Sequence, residues 1–195
     1  GEANDRQFDI LRQTKHTFKS SASNVFQPLN STVTMNLNAL LGTRGASWTI
    51  SSACSSGGHA VGQAADLIAL GRQERMICGG VQELFADSLS SFDATNAFSL
   101  RHDAPEQASR PFDQGRDGLV PSGGAAALLL ERMDYAKTRG ATIYGTVLAH
   151  AFTSDGADLN VPTGEGLRRC MQLCLKQAGL NIDQVDYINA HATST

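Results

Sequence analysis

The chain has 195 residues, 41% of them hydrophobic and 18% charged, which supplies one substantial core or two small ones and excludes a disordered protein. A net charge of -3 leaves no basic footprint for nucleic acid, no apolar run reaches membrane-spanning length, and residues 1–6 lack the apolar centre of a signal peptide. Cysteines at 54, 78, 170 and 174 form no Cys-x-x-Cys pair, so a reduced, cytoplasmic protein is the simplest reading.

Residues 1–30 are polar and weakly patterned, and no element is predicted there. Arg12, Lys15, His16 and Lys19 crowd one stretch. From charge alone a solvated face and a docking spot for an acidic partner are both open. Ser31 is placed to cap a helix through Met35, Leu37, Leu40 and Leu41 that Gly42 stops. Residues 46–52 read as a short strand, followed by a sharp corner at Ala53-Cys54-Ser55. Next comes a helix over 56–70, closed by Gly71. Its Ala60, Val61, Ala64, Ala65, Leu67, Ile68 and Ala69 predict burial on most sides.

Residues 75–81 read as a strand containing the Gly79-Gly80 pair. Residues 85–120 form a long irregular stretch with helical pieces, of the length that carries function or covers a site. A strand over 125–131, a short helix over 135–139 stopped by Gly140, and a strand over 143–152 follow. The loop over 153–164 leads into an amphipathic helix over 165–178, with Leu167, Cys170, Met171, Cys174 and Leu175 on its apolar face and Gly179 at its end. A last strand over 185–190 runs into His191-Ala192-Thr193-Ser194-Thr195. This alternation argues an α/β fold with a mixed or parallel sheet flanked by helices. A strand that presents a histidine–hydroxyl cluster with nothing after it suggests a piece of a longer protein.

Cys54 is the strongest chemical candidate. It stands between a strand and a helix, where helix N–H groups favour a thiolate, and its small neighbours leave room for a substrate. Its own N–H can form half of an oxyanion hole. A catalytic nucleophile and a small buried hydrophobe are both open on these grounds. Cys78, Cys170 and Cys174 read as core. His191 ends an apolar strand, a position that aims a side chain out of the sheet edge, and its three neighbouring hydroxyls can hold a polar substrate arm. His59 stands one turn from Cys54, with its side chain along the helix. No cluster has zinc-ligand spacing, and no glycine-rich phosphate loop precedes a helix with a lysine.

Ser51-Ser52-Ala53-Cys54-Ser55-Ser56-Gly57, Cys78-Gly79-Gly80, Ala108 to Asp113, Arg116-Asp117-Gly118 and His191 to Thr195 together resemble the β-ketoacyl-acyl-carrier-protein synthases. Ser154 to Asp158 and Pro162 to Gly166 resemble the bacterial type I synthases. The resemblance implies a layered αβαβα thiolase-like fold, incomplete in this chain. Residues 1–140 would be the later part of its first half and residues 141–195 the start of its second. It implies a homodimer formed partly through residues 46–52. Cys54 would accept an acyl group from an acyl carrier protein, then undergo decarboxylative condensation with malonyl carrier protein assisted by His191, with no cofactor and no metal. Thr193 and Thr195 would hydrogen-bond the phosphopantetheine arm, and Lys15 and Lys19 would dock the carrier protein. The family's usual glycine after the histidine is Ala192 here, which is expected to shift His191. The usual phenylalanine after Arg-Asp-Gly is Leu119, which is expected to reshape the acyl or malonyl pocket. A polyketide or polyene synthase, a non-catalytic partner subunit and an inert fragment are the alternatives.

Overall fold

The structure is a computed structural model that describes residues 2–16, 26–158 and 161–195; Lys19 lies outside the described residues. The chain divides into two units that alternate along the sequence. The first holds residues 1–51, 81–125 and 190–195, and the second holds 52–80 and 126–189.

In the first unit, α1 (Glu2–Thr14) is a helix that the sequence pattern does not announce. Its Phe8 and Leu11 remain exposed, so it lacks the continuous apolar stripe that periodicity detects. Lys15 ends it with φ 56° and an N–H bond to the Leu11 carbonyl of 2.9 Å. The predicted second helix is α2 (Thr32–Leu41), stopped by Gly42 at φ 63°. Ser31 precedes it but does not cap it. Its own backbone is helical, which turns the hydroxyl away from the first N–H groups, and its carbonyl instead accepts the Thr34 hydroxyl at 2.8 Å.

The strand expected over 46–52 does not form as a ladder among the described residues. The segment is tied to α2 by side chains instead: Asn38 Nδ2 donates to Ser47 Oγ at 2.7 Å, and the Thr34 and Thr49 hydroxyls lie 3.1 Å apart. Farther on come α4 (Ala86–Asp93) and a 3-10 turn at Pro105–Gln107. A parallel bridge then joins Phe98 to Leu119. Gly118 beside that bridge has φ 149°, and any Cβ there would run into the Phe98–Ser99 backbone.

The second unit is built on α3 (Ser56–Ala69), β1 (Arg75–Gln82), β2 (Gly124–Glu131), α5 (Met133–Thr138) and α6 (Glu165–Ala178). β1 and β2 pair antiparallel: the Arg132 N–H donates to the Glu74 carbonyl at 2.9 Å, and Gly79 lies against Ala126 and Ala127. The only ladder among the described residues is this antiparallel pair, a pairing that a mixed sheet admits. Gly57 of α3 and Gly80 of β1 meet backbone to backbone; a Cβ built on Gly80 would sit 3.4 Å from the Gly57 Cα.

α3 is buried only at Gly62 and Ala64, less than its composition predicts. Cys78 is core as expected, 8% exposed, and burial pushes its thiol pKa up. Cys170 and Cys174 are half-buried, and Cys170 Sγ lies 3.0 Å from the Ala151 carbonyl. The stretches 143–152 and 185–190 carry no ladder, contrary to the sequence pattern: alternation supplies apolar faces but not a partner strand. α6 spans the predicted residues and ends at Gly179 with φ 67°. Its entry is fixed by the Asp155 carboxylate, which accepts the N–H groups of Thr163 and Gly166 at 2.6 and 2.8 Å and the Thr163 hydroxyl at 2.8 Å.

Two glycine substitutions separate close approach from mere flexibility. A Cβ on Gly79 would collide with the Ala126 carbonyl and stand 2.9 Å from the Ala127 Cα, whereas nothing lies within 4 Å of a Cβ on Gly58. Gly79→Ala is expected to destabilise the protein by about 1–3 kcal/mol. Gly58→Ala, inside α3, is expected to stabilise it by roughly 0.5–1 kcal/mol. Urea unfolding midpoints check both.

Candidate active site

Cys54 lies in the second unit, one residue before the Ser55 N-cap of α3, and its side chain is exposed. The corner is closed by a compact set of bonds. The Ser55 N–H donates to the Ser52 carbonyl at 3.0 Å, and the Ser56 N–H to the Ala53 carbonyl at 3.1 Å. The Ser56 hydroxyl donates to the Ala53 carbonyl at 2.7 Å and accepts the Ser52 N–H at 2.7 Å. Ala53 is forced to φ 48°, a region a residue with a Cβ rarely enters. The strain sits directly before the sulfur-bearing residue. The glycine contact between Gly57 and Gly80 holds the first turn of the same helix on β1.

His191, Thr193, Thr195 and Leu119 lie in the first unit. His191 is exposed. Ala192 follows it with φ 29°, a left-handed backbone that glycine would adopt without strain. Ser194 has φ 70° and is 2% exposed. Its carbonyl accepts the Gly118 N–H at 3.0 Å, and its hydroxyl accepts the Arg110 N–H at 3.1 Å. Ser194 is thus a structural hydroxyl: burial and the Arg110 bond take it out of the set expected to hold a substrate arm. Thr193 Oγ1 and Thr195 Oγ1 are 2.7 Å apart, so one hydroxyl proton is spent between them and one remains for an outside acceptor. Leu119 is half-buried; its N–H donates to the Ala97 carbonyl at 2.9 Å, and its carbonyl accepts the Ser99 N–H at 3.0 Å.

The residues that anchor the histidine loop come from the long central stretch. The Arg110 guanidinium donates to the carbonyls of Gln107 and Gly115 and to Asp117 Oδ1, the last at 2.9 Å. Asp117 also accepts the Ser99 hydroxyl at 2.8 Å and the Leu100 N–H at 3.2 Å. Arg116 Nε reaches the Thr195 carbonyl at 2.9 Å. The Ser99 hydroxyl bond, then the Leu100 N–H and the Arg110 charge, hold the Asp117 carboxyl below its ordinary pKa. Spacing did not reveal this latch. The available signal was two arginines and two aspartates packed into eight residues of loop, 110–117.

Lys15 is exposed at the end of α1. Beside it, Arg12 is engaged by Asp9 at 3.4 Å.

Two family models cover this chain: the β-ketoacyl synthase N-terminal domain over residues 2–136 and the C-terminal domain over residues 144–195. The chain belongs to the β-ketoacyl synthase family. It is 42% identical over 170 residues to the 3-oxoacyl-[acyl-carrier-protein] synthase 1 of Haemophilus influenzae, covering 84% of this chain and 41% of that protein. It is 45% identical over 156 residues to the synthase 2 of Rhizobium meliloti, covering 78% of this chain and 37% of that protein. A β-ketoacyl synthase structure from Burkholderia phymatum superposes with TM-score 0.91 at 38% identity, over 97% of this chain and 47% of that one. The α/β thiolase-like fold expected from the sequence is thereby shown. The chain spans about two-fifths of the length of the curated relatives it matches.

The Asp117 latch sets an acid limit on the synthase fold. Because the folded-state pKa is lowered, its stabilisation is complete above the ordinary aspartate value and is lost as pH falls through the folded value. Below about pH 4, urea midpoints of Asp117→Asn are expected to fall less steeply with pH than those of the parent. Parallel slopes for the two proteins would contradict this.

Proposed function

We propose that the protein carrying this chain is a β-ketoacyl-acyl-carrier-protein synthase that elongates fatty-acyl chains. The observation that carries the reading is the exposed Cys54 on a strained corner one residue before the α3 N-cap, in a chain of this family. In the first half-reaction the Cys54 sulfur attacks an acyl carrier thioester. A Cys54 thioester forms, the bond to the phosphopantetheine sulfur breaks, and the proton leaves with the carrier thiol. In the second, malonyl carrier protein loses carbon dioxide. The electron pair left on the malonyl carbon attacks the Cys54 thioester, forms the carbon–carbon bond and releases the cysteine. His191 donates to the developing enolate oxygen. In the family a second histidine and a lysine act beside it, and both follow the motif at 191–195. The thioester and the departing carbon dioxide drive the reaction without a metal or an organic cofactor.

Thr193 and Thr195 bind the phosphopantetheine arm, supported by the single outward proton of their hydroxyl pair. Leu119 shapes the acyl or malonyl pocket. Lys15 and Lys19 dock the acidic carrier protein in a cytoplasmic setting, supported by the exposure of Lys15. A solved relative, 30% identical with TM-score 0.85, is a type II polyketide ketosynthase in complex with its acyl carrier protein. The greater identity to synthases named for 3-oxoacyl chains favours the fatty-acid reading over the polyketide one. The type I assignment belongs to this proposal and rests on residues 154–158 and 162–166; relatives of both types stand at similar identity. The boundary near residue 140 also belongs to it, supported by the two family-model ranges that flank it. A homodimer through residues 46–52 completes it, supported by the exposed Trp48 and by α2, which has no buried residue.

Incubation of the full-length protein with acyl carrier thioester should place the acyl mass on the peptide containing Cys54. Cys54→Ala should abolish the adduct while leaving the thermal midpoint nearly unchanged, because an exposed side chain is removed. An adduct on another residue would remove Cys54 from the mechanism. Lys15→Glu should raise KM for the carrier protein roughly 3–10-fold at low salt and less at high salt.

A further inference from the structure

Besides the Gly57–Gly80 contact, the corner at Cys54 is held by a side-chain tie from outside the turn itself. Ser52 is half-buried and engaged on three sides. Its N–H goes to Ser56 Oγ at 2.7 Å, its carbonyl accepts the Ser55 N–H at 3.0 Å, and its hydroxyl lies 3.0 Å from His59 Nδ1. The first two bonds stay within the turn. The third reaches the second turn of α3. Between Ser52 and Cys54 stands Ala53 at φ 48°, a conformation that persists only where the surroundings over-determine it.

His59 is itself braced. Its ring meets Phe152 with centroids 4.2 Å apart and planes at 50°. Phe152 also packs on His150 at 4.9 Å, and His150 Nε2 lies 2.9 Å from Asp66 Oδ1. Gly62 opens the space for this stack, since a Cβ there would stand 2.8 Å from the His150 ring and 2.5 Å from Phe152. Any larger residue at 62 would collide with Phe152 and His150. All of these residues belong to the second unit.

We propose that His59 is a positioning residue for the Cys54 nucleophile: its Nδ1 bond to the Ser52 hydroxyl, with the ring clamped by Phe152, fixes the strained corner that presents the sulfur. The inference rests on the proposed synthase function. His59 acts through Ser52 and not on the reacting atoms.

The test uses the full-length protein with Ser52→Ala, His59→Phe, the double variant of these, and His59→Asn. His59→Phe keeps a ring against Phe152 and loses the bond. His59→Asn places an amide atom at nearly the reach of Nδ1. The rate of acyl transfer from carrier thioester to Cys54, read by mass spectrometry, should fall about 10–100-fold in each of Ser52→Ala and His59→Phe. The double variant should be no slower than the slower single, because both remove one bond. His59→Asn should recover most of the rate. Unchanged rates, losses that multiply in the double variant, or an Asn variant no faster than Phe would each overturn the proposal. Iodoacetamide labelling of Cys54 at fixed pH runs in parallel. If the parent forms no acyl adduct, the synthase reading fails, and labelling then decides the positioning role. The same non-additive pattern with Asn rescue supports it, and equal labelling across the set overturns it. If His59→Phe does not fold, Ser52→Ala alone carries the test, since only one hydroxyl is removed.

Discussion

The contact on which the Cys54 corner depends is one between backbones: Gly57 at the start of α3 against Gly80 in β1. No side chain intervenes, so the helix start cannot slide away without opening a gap, and it cannot come closer. Gly79 extends the same logic to the next strand, where it lies against the Ala126 carbonyl. Helix, strand and neighbouring strand are thereby fixed at contact distance. Residues with almost no apolar area to bury set the geometry, while Ala64 of α3 and Cys78 of β1 are the buried apolar side chains of the same two elements.

Polar bonds do elsewhere what glycine contacts do at β1. The loop at 191–195 contains two non-glycine residues at positive φ, Ala192 and Ser194. Such a loop keeps one conformation only when other groups specify it. Arg110, Gly118 and Arg116 do so, each from a residue more than 70 positions earlier in the chain. The Ser52–His59 tie does the same for Ala53 over a much shorter span. Both candidate catalytic side chains, Cys54 and His191, are exposed, yet each adjoins a strained residue; rigidity comes from the bonds around them and not from their own burial.

What the sequence revealed followed from interactions that are local. α2, α3 and α6 were legible because a helix closes its own hydrogen bonds and Gly42, Gly71 and Gly179 mark the stops with left-handed φ. β1 and β2 were legible as segments, but their antiparallel pairing was not, because pairing is a relation between distant stretches. The same fact explains the segments 46–52, 143–152 and 185–190, whose apolar patterns meet no ladder among the described residues. α1 escaped for the opposite reason: it forms its bonds without a buried stripe. At the candidate site, Cys54 and His191 were visible through their motifs. The Arg110–Asp117–Ser194 latch was not, since its members are separated by up to 84 residues and look like ordinary loop polarity.

The two departures from the family pattern, Ala192 and Leu119, meet different structural constraints. Ala192 adopts φ 29° immediately after His191, a backbone that a residue with a Cβ rarely enters. On its far side Ser194 is anchored by the Arg110 and Gly118 N–H groups. Leu119 is pinned at its backbone on both edges by Ala97 and Ser99. Its Cα therefore cannot follow a change of side chain, and the volume given up between a phenylalanine ring and a leucine must appear as space or be taken up by neighbouring side chains. A backbone held on both edges converts a side-chain change at 119 directly into a change of local packing. The bonds that hold Cys54 lie among Ser52, Ala53, Ser55, Ser56 and His59, so a change of side chain at 119 removes none of them.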